Sequence, residues 1–292
     1  RSRGVAIGVL LALALATALG NAGCDGGGGR GRPGLSARSY RMGFMGIPPR
    51  PDLATAIAAI QMWTQRADAA VHHIEPPWDS LLAGVRTDTL VVRELVTLLS
   101  YYRALGLDVV VSVDLTNGLD RSADAAPLVA AGRSLTEPAI QQLVRDYVVA
   151  VDTIIQPDLL LLASETNLVR AAAPAALYQA LVQTANDAAA DVRAVDPTVP
   201  LGFTVQVEVA WGRLGGAGAY AGIAPEIAAF PFANALGLSS YPYFSWPHPD
   251  SLPLDYYSRL AQGTALPVLV VEGGWSSVGV AGITTSPAIQ AA

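Results

Sequence analysis

Apolar and polar positions along the chain change period in a repeating way. Short apolar runs of strand length alternate with longer stretches in which apolar residues recur every three or four positions. The strand-like runs are Arg41–Gly46, Ala70–Ile74, Asp108–Leu115, Asp158–Glu165, Gly202–Val209, Ala235–Ser240 and Pro267–Glu272. Between them lie helical stretches at Asp52–Ala67, Asp88–Leu105, Glu137–Ile155 and Pro174–Val195, a looser one at Tyr220–Phe230, and Pro253–Gln262. In the Asp88 stretch, Leu90, Val91, Leu95, Leu98, Leu99 and Tyr102 fall on one helical face. No turn signal joins two strand runs directly, because Asn117-Gly118 leads into a polar loop. Alternation of this kind predicts an α/β fold with parallel strands and helices packed outside.

An open doubly wound sheet and a (β/α)8 TIM barrel both fit that alternation. No glycine-rich phosphate loop follows the first strand, which removes the usual reason for an open sheet. Polar residues instead recur at the C-terminal ends of many strands: His72, His73 and Glu75; Asp114 and Asn117; Glu165 and Asn167; Gln206 and Glu208; Ser240 and Tyr241; Glu272. A barrel gathers those ends around one mouth. Seven strands are counted, and the chain stops at Ala292 within the expected seventh helix. The expectation is a TIM barrel over 39–292, truncated before its eighth strand and helix, with a genuine seven-stranded or open barrel as the alternative.

The N-terminus has a different pattern. Arg1 and Arg3 precede an apolar run from Val5 to Leu19, too short for a comfortable membrane span, then small residues. The single cysteine stands in Asn21-Ala22-Gly23-Cys24. This segment resembles the lipobox of bacterial lipoproteins, which implies a signal peptide over 1–24, acylation of Cys24 and a glycine-rich tether over 25–38. Asn21 departs from the usual Leu, and an ordinary signal peptide is the alternative. The expected location is periplasmic or at the cell surface, with a lipid anchor at Cys24 as the only membrane contact.

Composition narrows the function. The chain has 292 residues, 52% hydrophobic and 14% charged, with a net charge of −6. That excludes disorder, and a lone cysteine excludes a disulfide scaffold. All the basic residues are arginines, they form no basic run, and the acidic balance argues against a nucleic-acid partner. A monomer without cofactor or metal is expected. His72 and His73 cannot both face inward, and no third ligand clusters with them.

Two apolar strand runs end in a carboxylate: Leu159-Leu-Leu-Leu-Ala-Ser-Glu165 and Pro267-Val-Leu-Val-Val-Glu272. Each burial needs compensation, by a nearby Arg or backbone group if the role is structural. Together at barrel strand ends they form a pair suited to glycoside hydrolysis, one carboxyl giving a proton to the leaving oxygen and the other attacking carbon or activating water. Asp114 and Asn117 bind sugar hydroxyls or cap a loop. Gln206 and Glu208 alternate with Phe203, Val205 and Val207 and share the side of Thr204. Trp78, Trp211, Trp246 and Trp275 follow strand ends, as sugar-stacking platforms or as rim packing.

Glu at the ends of strands four and seven, with an aromatic segment after strand six, resembles glycoside hydrolase clan A. Leu236-Gly-Leu-Ser-Ser-Tyr-Pro-Tyr-Phe244 and Val270-Val-Glu-Gly-Gly-Trp-Ser276 are most similar to family 53, the arabinogalactan endo-β-1,4-galactanases. The resemblance implies a retaining enzyme with Glu165 as acid/base, Glu272 as nucleophile and Tyr241 hydrogen-bonded to that nucleophile. The clan places Asn immediately before the acid/base, whereas this chain has Ser164, with Asn167 nearby as a substitute. Two functions follow: an exported retaining glycosidase acting on a β-linked poly- or oligosaccharide, or a catalytically impaired carbohydrate-binding surface lipoprotein with the same barrel.

Overall fold

The computed structural model describes residues 40–292 except 46–49, 51, 215–217, 263, 280 and 281. The signal segment, Cys24 and the tether lie outside the described residues. Seven strands follow one another in the order β1-β2-β3-β4-β5-β6-β7, every neighbouring pair parallel. They are β1 (Gly43–Met45), β2 (Ala69–Ile74), β3 (Asp108–Val113), β4 (Leu159–Leu161), β5 (Leu201–Gln206), β6 (Ala235–Ser240) and β7 (Val268–Gly273). β7 returns beside β1, so the sheet is a nearly closed barrel of the TIM type. No eighth strand occurs among the described residues.

Helices fill the intervals: α1 (Leu53–Thr64), α2 (Trp78–Leu82), α3 (Thr87–Val91), α4 (Thr97–Ala104), α5 (Ala126–Ala130) and α6 (Pro138–Ile155). There follow α7 (Thr166–Ala172), α8 (Ala175–Val195), α9 (Val207–Ala210), α10 (Ala224–Ala229), α11 (Ser258–Ala261) and α12 (Pro287–Ala291). Asp52 caps α1 by accepting the Thr55 N–H at 2.8 Å. A π-helical turn, Val92–Val96, splits the helix expected over Asp88–Leu105. The stretch at Pro253–Gln262 is helical only over α11, and Tyr220–Phe230 only over α10. No helix among the described residues is long and apolar enough to cross a membrane.

The core divides by strand face. Ala70, Val109, Val111, Leu160, Phe203, Val205, Leu236 and Leu238 point outward and pack under the helices. Val71, Val110, Leu159, Leu161, Ala235 and Val271 form a smaller cluster inside the barrel. Glycine makes room for that inner layer. A Cβ on Gly202 would meet the Ala235 carbonyl oxygen at 2.4 Å and Leu161 Cδ2 at 2.8 Å, and one on Gly237 would meet Thr204 Cγ2 at 2.8 Å. Leu161 therefore fills the barrel centre between two strands that carry no side chain there.

Two departures from strict alternation redirect side chains at the strand ends. β5 ends at Gln206, where a strand was expected to continue to Val209. The Gln206 side chain accepts the Val209 N–H at 2.7 Å, and the chain turns into α9 with Glu208 in its first turn. In β7 the register shifts by one residue, so that Ser239 pairs with Glu272 and not with Val271. This bulge brings Glu272 alongside the inward face of β6, which regular alternation would not do.

Two substitutions probe this packing. Gly202→Ala is expected to lower stability by about 1–3 kcal/mol, read by denaturant unfolding, because backbone and not a flexible tip blocks the added methyl. Asp152, buried in α6, has no partner for its Oδ1, and burial followed by the charge of Asp196 raises its pKa from 3.8 to about 6. The folded state therefore holds this proton where the unfolded chain has released it, and stability from this site falls as pH rises from the unfolded value through the folded one. Asp152→Asn is expected to raise the melting temperature near pH 7 and to change it little near pH 4.

Candidate active site

Glu165 ends the leucine run of β4 in an unusual backbone conformation. Its φ is +46°, and only one other non-glycine residue among the described ones, Gln156, has positive φ. A left-handed Glu is sterically costly, by about 1–2 kcal/mol, and is retained only where its surroundings over-determine it. Here the Glu165 N–H donates to Thr204 Oγ1 of β5 at 2.7 Å, while its carbonyl accepts the Leu168 N–H at 2.9 Å to open α7. The side chain is thereby turned across the mouth, 10% exposed.

Both oxygens of that carboxylate are held. Arg121 Nε donates to Oε2 at 3.0 Å, and Ser239 Oγ of β6 donates to Oε1 at 2.6 Å. Arg121 is itself clamped by Asp114 at the end of β3: its Nη1 donates to Oδ1 at 2.6 Å, to Oδ2 at 2.7 Å and to Thr116 Oγ1 at 3.0 Å. Burial opposes the Arg121 charge, but the Asp114 and Glu165 carboxylates outweigh it and raise its pKa. Glu75 faces the same group; burial and the charge of Asp114 raise its pKa, and Arg121 opposes the shift.

Glu272 meets the same mouth from β7. The Tyr241 hydroxyl donates to Glu272 Oε1 at 2.5 Å, and His73 Nε2 stands 4.0 Å from Oε2. Burial, the hydrogen bond to Glu272 and the charges of Glu272 and Glu165 all raise the Tyr241 pKa, so the phenol stays a donor. β6 is thus the bridge: its inward Ser239 binds one glutamate and Tyr241 at its end binds the other. His72 lies on the outward side with Ala70 and Ile74, and burial, then the His73 charge, lowers its pKa to about 4.

Other candidates are placed differently. Ser164 is buried and donates to the Val113 carbonyl at 3.2 Å, toward β3. Asn167 spends its amide on β5, donating to the Gln206 carbonyl at 2.8 Å and accepting the Gln206 N–H at 2.7 Å, so it ties α7 to β5 and is not turned to the place of an Asn before Glu165. Asn117 caps its own loop, accepting from Leu119 and Asp120 N–H. Glu208 is fully buried and receives the hydroxyl of Tyr256 and the amide of Gln206, with Ser240 Oγ at 3.5 Å. Burial raises its pKa against the pull of those donors. No group of three or more side chains suited to a metal ion occurs among the described residues.

The tryptophans separate into two sets. Trp78 is 1% exposed. Trp211 stacks on Tyr256 at 5.8 Å, lies under the Arg259 guanidinium at 5.0 Å and donates through Nε1 to the Tyr256 carbonyl. Trp246 packs edge-on against both rings. Trp78 belongs to the core, and Trp211 and Trp246 are packed by rings and guanidinium groups, Arg259 over the first and Arg213 over the second. Trp275 is only partly buried and lies 6.3 Å from Tyr243, which neighbours the exposed Phe244 and, at 6.2 Å, Tyr241. This aromatic row leads directly away from Glu272.

Sequence reasoning missed Arg121, Ser239, Thr204 and Tyr256. The signal for Arg121 was the electrostatic need itself, since a carboxylate at the end of a buried strand calls for a cation. Ser239 and Thr204 occupy inward positions of period two beside glycines, which the alternation could have marked.

The class defined by this geometry is a (β/α) barrel of the TIM type with carboxylates at its mouth. No family model matches the chain, and no curated protein matches it. Among solved structures its fold is similar to that of an exo-β-1,4-mannosidase from Opitutaceae bacterium strain TAV5, with a TM-score of 0.51 at 14% identity. The likeness covers 81% of this chain and 46% of the mannosidase, so the chain spans about half the length of that protein.

Tyr256→Phe would remove the phenol donor from Glu208 Oε1 at a fully buried site. A loss of about 1–3 kcal/mol of stability is expected, measured by thermal unfolding. An unchanged melting temperature would show that Ser240 suffices.

Proposed function

We propose that this chain is a retaining glycoside hydrolase of the clan A type, acting on a β-linked poly- or oligosaccharide. The observation that carries the reading is the shared attachment of Glu165 and Glu272 to β6, one through Ser239 and the other through Tyr241. In the first step Glu272 attacks the anomeric carbon while Glu165 protonates the departing glycosidic oxygen. A glycosyl ester on Glu272 results. In the second step Glu165 takes a proton from water, the water oxygen attacks the same carbon, and the ester breaks, so that two inversions give retention. Tyr241 holds the Glu272 oxygen in line, and the row Tyr243, Phe244 and Trp275 offers ring faces to a neighbouring sugar. The strand-six and strand-seven segments support family 53 as the kind of enzyme, and the mannosidase fold adds β-mannosides to the sugars worth testing.

The N-terminal segment supports export and anchoring at Cys24, which makes the substrate an extracellular or periplasmic glycan. A second reading has its own observation. Ser164 replaces the usual Asn, and both oxygens of Glu165 are already held, as suits a barrel that binds saccharides without cleaving them.

Dinitrophenyl β-galactoside, β-mannoside and β-glucoside decide between the two. Glu272→Ala is expected to abolish hydrolysis, and azide is expected to restore turnover as the α-glycosyl azide, identified by NMR. If the wild-type protein binds polysaccharide yet cleaves none of the panel, the binding reading stands. Cys24→Ser is expected to move the protein from the membrane to the soluble fraction.

A further inference from the structure

A glutamate that gives and takes a proton must do so at one defined oxygen. The two oxygens of Glu165 are not equivalent. Oε2 faces Arg121 Nε at 3.0 Å, and a guanidinium donates hydrogen bonds but cannot accept one. A proton on Oε2 could not lie in the direction that Arg121 occupies and would weaken that charge-assisted bond. Oε1 faces Ser239 Oγ at 2.6 Å, and a hydroxyl can turn from donor to acceptor.

Arg121 is fixed in this place from several sides. Asp114 takes its Nη1 with both oxygens, Thr116 Oγ1 takes the same nitrogen, and the side chain is 6% exposed. The loop that carries it is closed by a bridge between Thr116 and Asp124 and by the Asn117 turn. The groups facing Glu165 are Arg121 with Asp114 and Glu75 behind it, Thr204 from β5, and Ser239 and Tyr241 from β6, with Glu272 beyond the phenol.

Building on the glycosidase reading, we propose that Arg121, clamped by Asp114, is a positioning residue that confines the moving proton to Oε1 of Glu165. In the first half-reaction the proton leaves Oε1 for the glycosidic oxygen as the bond to the anomeric carbon breaks. In the second a water proton arrives on Oε1 as the water oxygen bonds to that carbon and the Glu272 ester opens. Throughout, the Arg121 hydrogen bond to Oε2 stays in place, so the carboxyl does not turn.

Leaving-group dependence reads this role directly. The value of kcat/KM reports the step up to glycosyl transfer. A dinitrophenyl group leaves without a proton, and a methoxyphenyl group needs one. Arg121→Met is expected to lower kcat/KM on the methoxyphenyl glycoside by about 10²–10⁴-fold and on the dinitrophenyl glycoside by less than about tenfold. Arg121→Lys is expected to recover part of the loss, incompletely because an ammonium lacks the fork that spans Asp114 and Glu165. Asp114→Asn, which keeps the side-chain shape, should show the same selective loss in milder form and serves if Arg121→Met does not fold. Equal losses on both substrates in Arg121→Lys and Asp114→Asn would overturn the proposal, leaving Arg121 a structural ion-pair partner. Failure of the wild-type enzyme on both substrates would overturn the glycosidase reading itself, and this inference with it.

Discussion

A carboxylate buried beyond a run of leucines has to be met by donors, and the mouth is organised around meeting that need for Glu165. The effective penalty for burying one such charge is several kcal/mol, more than a single hydroxyl can offset. The compensation comes from three strands at once: Thr204 of β5 takes the backbone N–H, Ser239 of β6 binds Oε1, and the loop after β3 folds back to bring Arg121 to Oε2. The left-handed backbone of Glu165 belongs to the same solution. It opens α7 and points the carboxylate at these donors in place of solvent. Arg121 then needs its own counter-charge, and Asp114 supplies it.

Position along the barrel follows from size. Gly202 and Gly237 let Leu161 close the centre, which leaves the layer above it free for polar side chains. Thr204, Ser239 and Glu272 occupy the level where that apolar plug ends. The register shift in β7 matters for the same reason: it places Glu272 opposite Ser239, on the strand whose next inward residue is Tyr241. A polar mouth over a dry floor gives strong electrostatics at the rim and excludes water beneath it.

The fold was legible because period and punctuation agreed. Every expected strand overlaps an observed one, and the long helices α6 and α8 fall where apolar spacing put them. What escaped was decided by side chains acting on their own backbone or across strands. Gln206 caps α9 and ends β5 early, a local hydrogen bond that alternation cannot register. The loop holding Arg121 reads as polar filler, since its meaning lies in a carboxylate more than forty residues away in sequence. Trp211 and Trp246 look like platforms in a linear reading, and only packing shows that Tyr256 and Arg259 cover them.

The two buried glutamates that follow β4 and β5 show how environment assigns different work to one residue type. Glu165 lies beside a guanidinium and is partly open to the mouth, whereas Glu208 has only neutral donors and no exposure. Burial of Glu208 favours its neutral form, in which one oxygen can also donate. Such a group makes a strong strut between α9, β6 and the Tyr256 segment, but it is sealed from any ligand. Glu272 is more exposed than either, held by a phenol at one oxygen and near His73 at the other. Of these three glutamates Glu272 is the most exposed, its side chain at 24%, which is what the proposed role of nucleophile asks of it.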